Sequence, residues 1–187
     1  MRYLTLANQL TILRMLLIPV FVLLVVYDQL GAAFATFVVA GITDALDGLA
    51  ARLSGERTAF GAWLDPVADK LLLVSTFIVL TLPAIPLTNH IPLWLTILVI
   101  SRDIVIVAVV AIVNLAIGPR TFQPSIWGKL ATGTYILMVV VVMYFNWQRQ
   151  QSALIDLLIA MALGLTVVSA GDYFWRVRKI VDAPAKS

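Results

Sequence analysis

Six apolar stretches, at about 10–27, 32–54, 60–82, 92–116, 127–147 and 153–175, take up most of this chain. Each is close to the roughly 20 residues that a helix needs to cross hydrocarbon. Lipid offers no water to a backbone N–H or C=O, so spans of this length satisfy their own hydrogen bonds as helices. The pattern predicts an all-α, polytopic membrane protein, with six transmembrane helices in one bundle and residues 1–187 as a single domain. The breaks at 28–31, 54–57, 83–92, 118–124 and 146–152 are rich in Gly, Pro and polar residues. Composition agrees, with 61% hydrophobic and 12% charged residues, against about 25% charged in soluble domains.

The basic residues set an orientation. Arg2, Arg14, Arg52, Arg57, Arg120, Lys129, Arg176, Arg178, Lys179 and Lys186 fall at the N-terminus, the second and fourth connections and the C-terminus. The first, third and fifth connections hold only Arg149. Positive residues stay on the cytoplasmic side, which places both termini in the cytoplasm. The net charge of +3 is a topology signal. No basic patch with interleaved aromatics points to nucleic acid. With no cysteine, disulfides and thiolate metal sites are excluded. Arg2 is the one charge before polar Thr5, Asn8, Gln9 and Thr11, so no cleaved signal peptide is expected. The single histidine, His90, reads as a solvated loop residue.

Four of the ten acidic residues, Asp44, Asp47, Asp65 and Asp69, interrupt the second and third stretches. Asp44, Asp47, Gly48 and Ala51 lie at i, i+3, i+4 and i+7, one face of a helix. Gly61, Asp65 and Asp69 lie at i, i+4 and i+8, again one face. The short connection predicts antiparallel neighbours whose acidic faces meet near the cytoplasmic end. A charge at the bilayer centre costs from about 3 to over 10 kcal/mol, which marks such residues as functional. Four facing carboxylates need cations or protons. Oxygen-only ligands favour Mg²⁺, Mn²⁺ or Ca²⁺ over Zn²⁺. Two such ions about 4 Å apart can clamp the attacking and leaving oxygens of a phosphoryl displacement. Gly48 and Ala51 leave room for a ligand or for close helix packing, and Arg52 can reach a phosphate with its planar fork. The alternative, a cation transporter, predicts acids near the midplane of several helices in repeated halves. Here they cluster on two adjacent helices.

The pattern Asp44-x-x-Asp47-Gly48-x-x-Ala51-Arg52, eight residues, then Gly61-x-x-x-Asp65-x-x-x-Asp69, resembles the signature of the CDP-alcohol phosphotransferases. The resemblance implies two metal ions, Mg²⁺ or Mn²⁺, held by the four aspartates. It implies transfer of a phosphatidyl or similar group from a CDP-linked donor to an alcohol, with release of CMP. Asp69 is then the general base. Gly48, Ala51, Arg52, Thr58 and Gly61 line the CDP site. Asn8 either caps the first helix or touches the nucleotide. Arg14, one turn into the first span, either snorkels to the interface or meets the donor phosphates. Members of the family are commonly homodimers.

"LANQLTILRMLLIP", "FGAWLDPVADKLLL", "ISRDIVIV" and "PSIWGKLAT" resemble the bacterial phosphatidylglycerophosphate synthase branch. That branch implies CDP-diacylglycerol and glycerol 3-phosphate as substrates, at the cytoplasmic face of the cell's inner membrane. Eukaryotic-type cardiolipin synthases share much of the pattern, which leaves phosphatidylglycerol as the alternative acceptor. An acceptor phosphate needs cations, and Arg102, Lys129 and Arg120 are the candidates. Arg102–Asp103 lies inside an apolar run and also reads as a structural ion pair. Lys129, Arg120 and Arg176 also read as headgroup anchors. Trp94, Tyr144, Trp147, Tyr173 and Trp175 read as an interfacial belt. Gly128 with Gly133, and Ala160 with Gly164, could pack helices closely.

Overall fold

The computed structural model describes residues 6–54, 59–117 and 125–181, all as helices and short connections. The helices are α1 (Leu6–Val26), α2 (Leu30–Ser54), α3 (Ala59–Thr81), α4 (Leu93–Ile117), α5 (Ile126–Trp147) and α6 (Ala153–Val181). All six apolar stretches therefore form helices. The ends differ from the apolar boundaries where polar residues extend a helix. α1 starts at Leu6, and α6 continues through Arg176 and Arg178. Among the described residues, four helices contain segments long and apolar enough to cross a membrane, Gln9–Val26, Leu93–Ile112, Ile126–Trp147 and Ala153–Arg176. The protein is thus a multi-pass membrane protein. In α2 the apolar run is shorter, Leu30–Asp44, because the acidic motif begins there.

The chain divides into two compact units, Met1–His90 with Val139–Gln151, and Ile91–Met138 with Ser152–Ser187. α5 contributes its second half to the first unit and its first half to the second.

In the first unit α1 packs against both α2 and α3. Phe21, Val25, Ala33, Phe37, Ala40 and Leu80 are buried there, and the Phe21 and Phe37 rings lie 5.9 Å apart. Two helix ends use the same device. After α1, the Asp28 N–H donates to the Val25 carbonyl (3.1 Å) and the Gln29 N–H to the Leu24 carbonyl (2.8 Å). After α5, the Arg149 N–H donates to the Asn146 carbonyl (3.1 Å) and the Gln150 N–H to the Phe145 carbonyl (3.0 Å). Each is a Schellman cap with a left-handed residue at its turn, Asp28 at φ 62° and Arg149 at φ 56°. Neither is glycine. The two cap residues meet instead, Arg149 Nη2 donating to Asp28 Oδ2 at 2.5 Å.

Asn146 is fully buried beside this pair. Its Oδ1 accepts from the Asn89 backbone N–H (2.7 Å) and its Nδ2 donates to the Asn89 carbonyl (2.9 Å). The connection from α3 to α4 is thereby tied to α5. Trp147 lies over α2, where a Cβ on Gly31 would sit 2.8 Å from the indole Nε1. Phe34 and Tyr144 complete this aromatic cluster. Tyr144 and Trp147 are thus packed as well as partly exposed. Asn146→Ala leaves both Asn89 backbone groups without that partner. The expected loss of stability is about 2 kcal/mol or more, read as a lower Tm in detergent; an unchanged Tm would contradict the tie.

In the second unit α4 packs against α6. Thr166, Ser169 and Tyr173 lie at i, i+3 and i+7 on α6, and each makes a polar contact to a neighbouring helix. Thr166 Oγ1 and the Tyr135 hydroxyl of α5 are 2.5 Å apart. Arg102 Nη2 of α4 donates to Ser169 Oγ at 2.5 Å. The Tyr173 hydroxyl donates to the Ile106 carbonyl of α4 at 3.3 Å. Polar side chains join helices in this way where apolar burial cannot drive association. Ser125 caps α5, its Oγ accepting from the Gly128 N–H at 2.9 Å. The outer side of α4 exposes Ile97, Ile104, Val105, Val107, Ile112 and Leu115, a surface suited to hydrocarbon and too apolar for water.

Candidate active site

Arg14 lies against two residues of the acidic motif, Asp44 and Asp69. α1 and α2 form a tight hairpin, so the first turns of α1 lie beside the last turns of α2. Arg14 is about 12 Å along α1 from Leu6, and Asp44 about 15 Å from the end of α2 at a rise of 1.5 Å per residue. Asp69 is at the matching depth on α3, about 15 Å from its start. Arg14 Nη1 is 2.9 Å from Asp44 Oδ1 and also pairs with Asp69 Oδ1. The exposures of the three partners differ sharply. The Arg14 side chain is 0% exposed, Asp44 46% and Asp69 44%. The guanidinium therefore approaches from the protein side, and the carboxylates keep an open face.

Arg14, expected either to reach the interface or to meet donor phosphates, is enclosed by protein and pairs with Asp44 and Asp69. The attraction between one cation and two acids offsets the cost of taking the guanidinium out of water. Thr11, one turn earlier on α1, is also fully buried.

Among the described residues, Asp44 and Asp69 are the motif acids brought together, through Arg14. The side chains of Asn8, Asp47, Gly48, Ala51, Arg52, Gly61 and Asp65 lie outside the described residues, though all seven positions are helical. Thr58 and Arg120 lie outside them entirely.

The other sequence candidates are in the second unit. Arg102 is buried to all but 10%, and its Nη1 is 2.7 Å from Asp103 Oδ1. Its Nη2 contacts Ser169, and its buried Nε has no hydrogen-bond partner among the described residues. The structural ion pair is therefore present. A Cβ at Gly128 would lie 3.1 Å from Arg102 Nη2, so this glycine gives the guanidinium its space. Gly133 and Gly164 have no described atom near enough to contact an added Cβ, and the neighbours of Gly128 are polar side chains, not a second small residue. Lys129 is exposed, as are His90 and Trp94. Arg176 pairs with Asp172 one turn back (2.9 Å).

Sequence reasoning left Arg14 between two roles and missed Ser169, Thr166 and Tyr135. The spacing of Thr166, Ser169 and Tyr173 down one face of an apolar helix was the available signal for the α6 seam.

The CDP-alcohol phosphatidyltransferase family model matches residues 4–168, which include Arg14, all four aspartates, Arg102 and Lys129. The chain belongs to the CDP-alcohol phosphatidyltransferase family. It is a transferase by that membership. Among its relatives is a probable phosphatidylglycerophosphate synthase of Mycobacterium tuberculosis, 35% identical over 183 residues, 94% of this chain and 82% of that one. The CDP-diacylglycerol–glycerol-3-phosphate 3-phosphatidyltransferase of Haemophilus influenzae is 35% identical over 162 residues, 82% of this chain and 84% of that one. The human cardiolipin synthase (CMP-forming) is 31% identical over 197 residues, covering 95% of this chain but 63% of that one.

Proposed function

We propose that this protein transfers the phosphatidyl group of CDP-diacylglycerol to glycerol 3-phosphate in phospholipid biosynthesis, giving phosphatidylglycerophosphate and CMP. The observation that carries it is the convergence of Asp44 and Asp69, from two helices, on one cationic nitrogen within the family motif. The names of the bacterial relatives supply the donor and the acceptor.

In the balanced reaction the acceptor oxygen bonds to the phosphatidyl phosphorus. The phosphoanhydride bond to CMP breaks, and the hydroxyl proton passes to a base. Asp69 is that base, since its carboxylate is half open to a ligand and an alcohol hydroxyl is a poor nucleophile unaided. The donor set fits divalent ions, since it offers only carboxylate oxygens. Two Mg²⁺ or Mn²⁺ ions on Asp44, Asp47, Asp65 and Asp69 would neutralise the pyrophosphate charge that the displacement develops. Asn8, Gly48, Ala51, Arg52, Thr58 and Gly61 are assigned to the CDP moiety on the family pattern.

The acceptor phosphate is assigned to Arg102, with Lys129 and Arg120 as further cations. Asp103 and Ser169 fix the guanidinium plane, which suits recognition of a phosphate by a fork. Arg102→Gln is expected to raise KM for glycerol 3-phosphate about 10- to 100-fold, the worth of a charged hydrogen bond, with a smaller change in kcat. A KM within twofold of wild type in protein of unchanged Tm would remove Arg102 from the acceptor site.

All six helices are proposed to cross the membrane, with both termini and the acidic motif facing the cytoplasm. The asymmetry of Lys and Arg supports this. The chain has no cysteine, so single-cysteine variants report sidedness cleanly. An impermeant maleimide is expected to label Thr88→Cys from outside the cell and Ser187→Cys only after lysis; the reverse pattern would invert the topology.

The function as a whole is tested by CMP release. Purified protein is expected to release CMP from CDP-diacylglycerol only when a divalent cation and glycerol 3-phosphate are both present. A second reading, cardiolipin synthesis with phosphatidylglycerol as acceptor, rests on the human relative. No CMP release with either acceptor would defeat both.

A further inference from the structure

We propose that Arg14 is a tethered counter-cation for the unloaded site, holding Asp44 and Asp69 together until divalent cations displace it. The inference rests on the metal-binding reading above and adds to it a residue that competes with the metal. Three observations carry it. First, one nitrogen, Arg14 Nη1, contacts carboxylate oxygens of both α2 and α3. One cation thus ties a carboxylate of α2 to a carboxylate of α3. Second, the guanidinium is fully buried while the carboxylates are nearly half exposed. A divalent ion can therefore reach these carboxylates from solvent. Third, α1 packs against both acidic helices. The cation is consequently delivered by the element that holds the pair together, not by a mobile surface side chain.

Charge makes the two arrangements exclusive. A guanidinium and a divalent cation on the same oxygens repel one another strongly at contact distance. Without either, two carboxylates at one point in a partly dry site repel each other. Arg14 thus serves the metal-free protein and opposes the metal. The alternative is a positioning residue that aligns the carboxylates for the ion. It predicts the opposite change in affinity, so the two are separable by binding alone.

The test uses purified full-length protein in detergent, stripped with EDTA and titrated with Mg²⁺ while Tm is followed. Arg14→Gln is expected to lower Tm in EDTA and to show a larger rise in Tm on adding Mg²⁺. Its Mg²⁺ midpoint is expected to fall about tenfold below that of wild type, as removal of a like charge from a binding site requires. A midpoint equal to or above that of wild type overturns the inference, since a displaced competitor cannot give that result. Should Arg14→Gln not survive without metal, Arg14→Lys is read instead. It keeps one charge but carries it on a shorter side chain with a point-like ammonium in place of the guanidinium. A midpoint below that of wild type supports displacement, and one at or above it overturns it. Wild-type protein that gains no stability from Mg²⁺ or Mn²⁺ would instead defeat the underlying metal reading, and the inference with it. None of these readouts depends on turnover.

Discussion

Asp69→Asn is expected to stop phosphatidyl transfer while leaving the donor bound. The substitution keeps the size of the side chain and its place on α3, but an amide cannot accept the hydroxyl proton. General-base catalysis contributes about 10²–10⁴-fold, and kcat should fall by at least that factor. The fold should survive, because Arg14 retains its contact with Asp44 at 2.9 Å and Asp69 is half exposed. CDP-diacylglycerol binding, measured directly on the purified variant, should weaken far less than turnover. A normal rate of CMP release would remove Asp69 from the chemistry.

Asp44→Asn should fail differently. Asp44 is assigned to metal binding alone, so its loss weakens the hold on the ion while the base stays in place. Lewis-acid stabilisation of the displacement is worth several kcal/mol, and each 1.36 kcal/mol is tenfold in rate. Activity at ordinary Mg²⁺ should therefore drop about 100-fold or more. Raising Mg²⁺ or substituting Mn²⁺ should restore part of it in Asp44→Asn and none in Asp69→Asn. Equal rescue of both variants would mean that the two aspartates do not differ in role.

The two acids differ in how far sequence could reach them. Their helical spacing and their depth in apolar runs were visible without any structure. So were the six helices, because each apolar run is about one membrane thickness long. Helix ends were less visible. α6 runs on to Val181 since Arg176 and Arg178 are good helix formers that hydropathy treats as a stop. The caps at Asp28 and Arg149 were hidden because left-handed turns usually announce themselves with glycine. The partner of Arg14 was hidden for a different reason. Asp69 lies 55 positions away, and periodicity specifies a face of one helix but not which face of another it meets. Ser169, 67 positions from Arg102, was missed on the same ground. For Arg102 the cost of a buried guanidinium and its ion pair with Asp103 were legible, and the contact to Ser169 was not.

The central claim, that the acceptor is glycerol 3-phosphate, is tested most directly by following the label. Purified protein with CDP-diacylglycerol and Mg²⁺ is offered radiolabelled glycerol 3-phosphate or radiolabelled phosphatidylglycerol. Label from glycerol 3-phosphate is expected in a lipid product, matched by equimolar CMP, with none in cardiolipin. Incorporation from phosphatidylglycerol alone would contradict the account and make the enzyme a cardiolipin synthase.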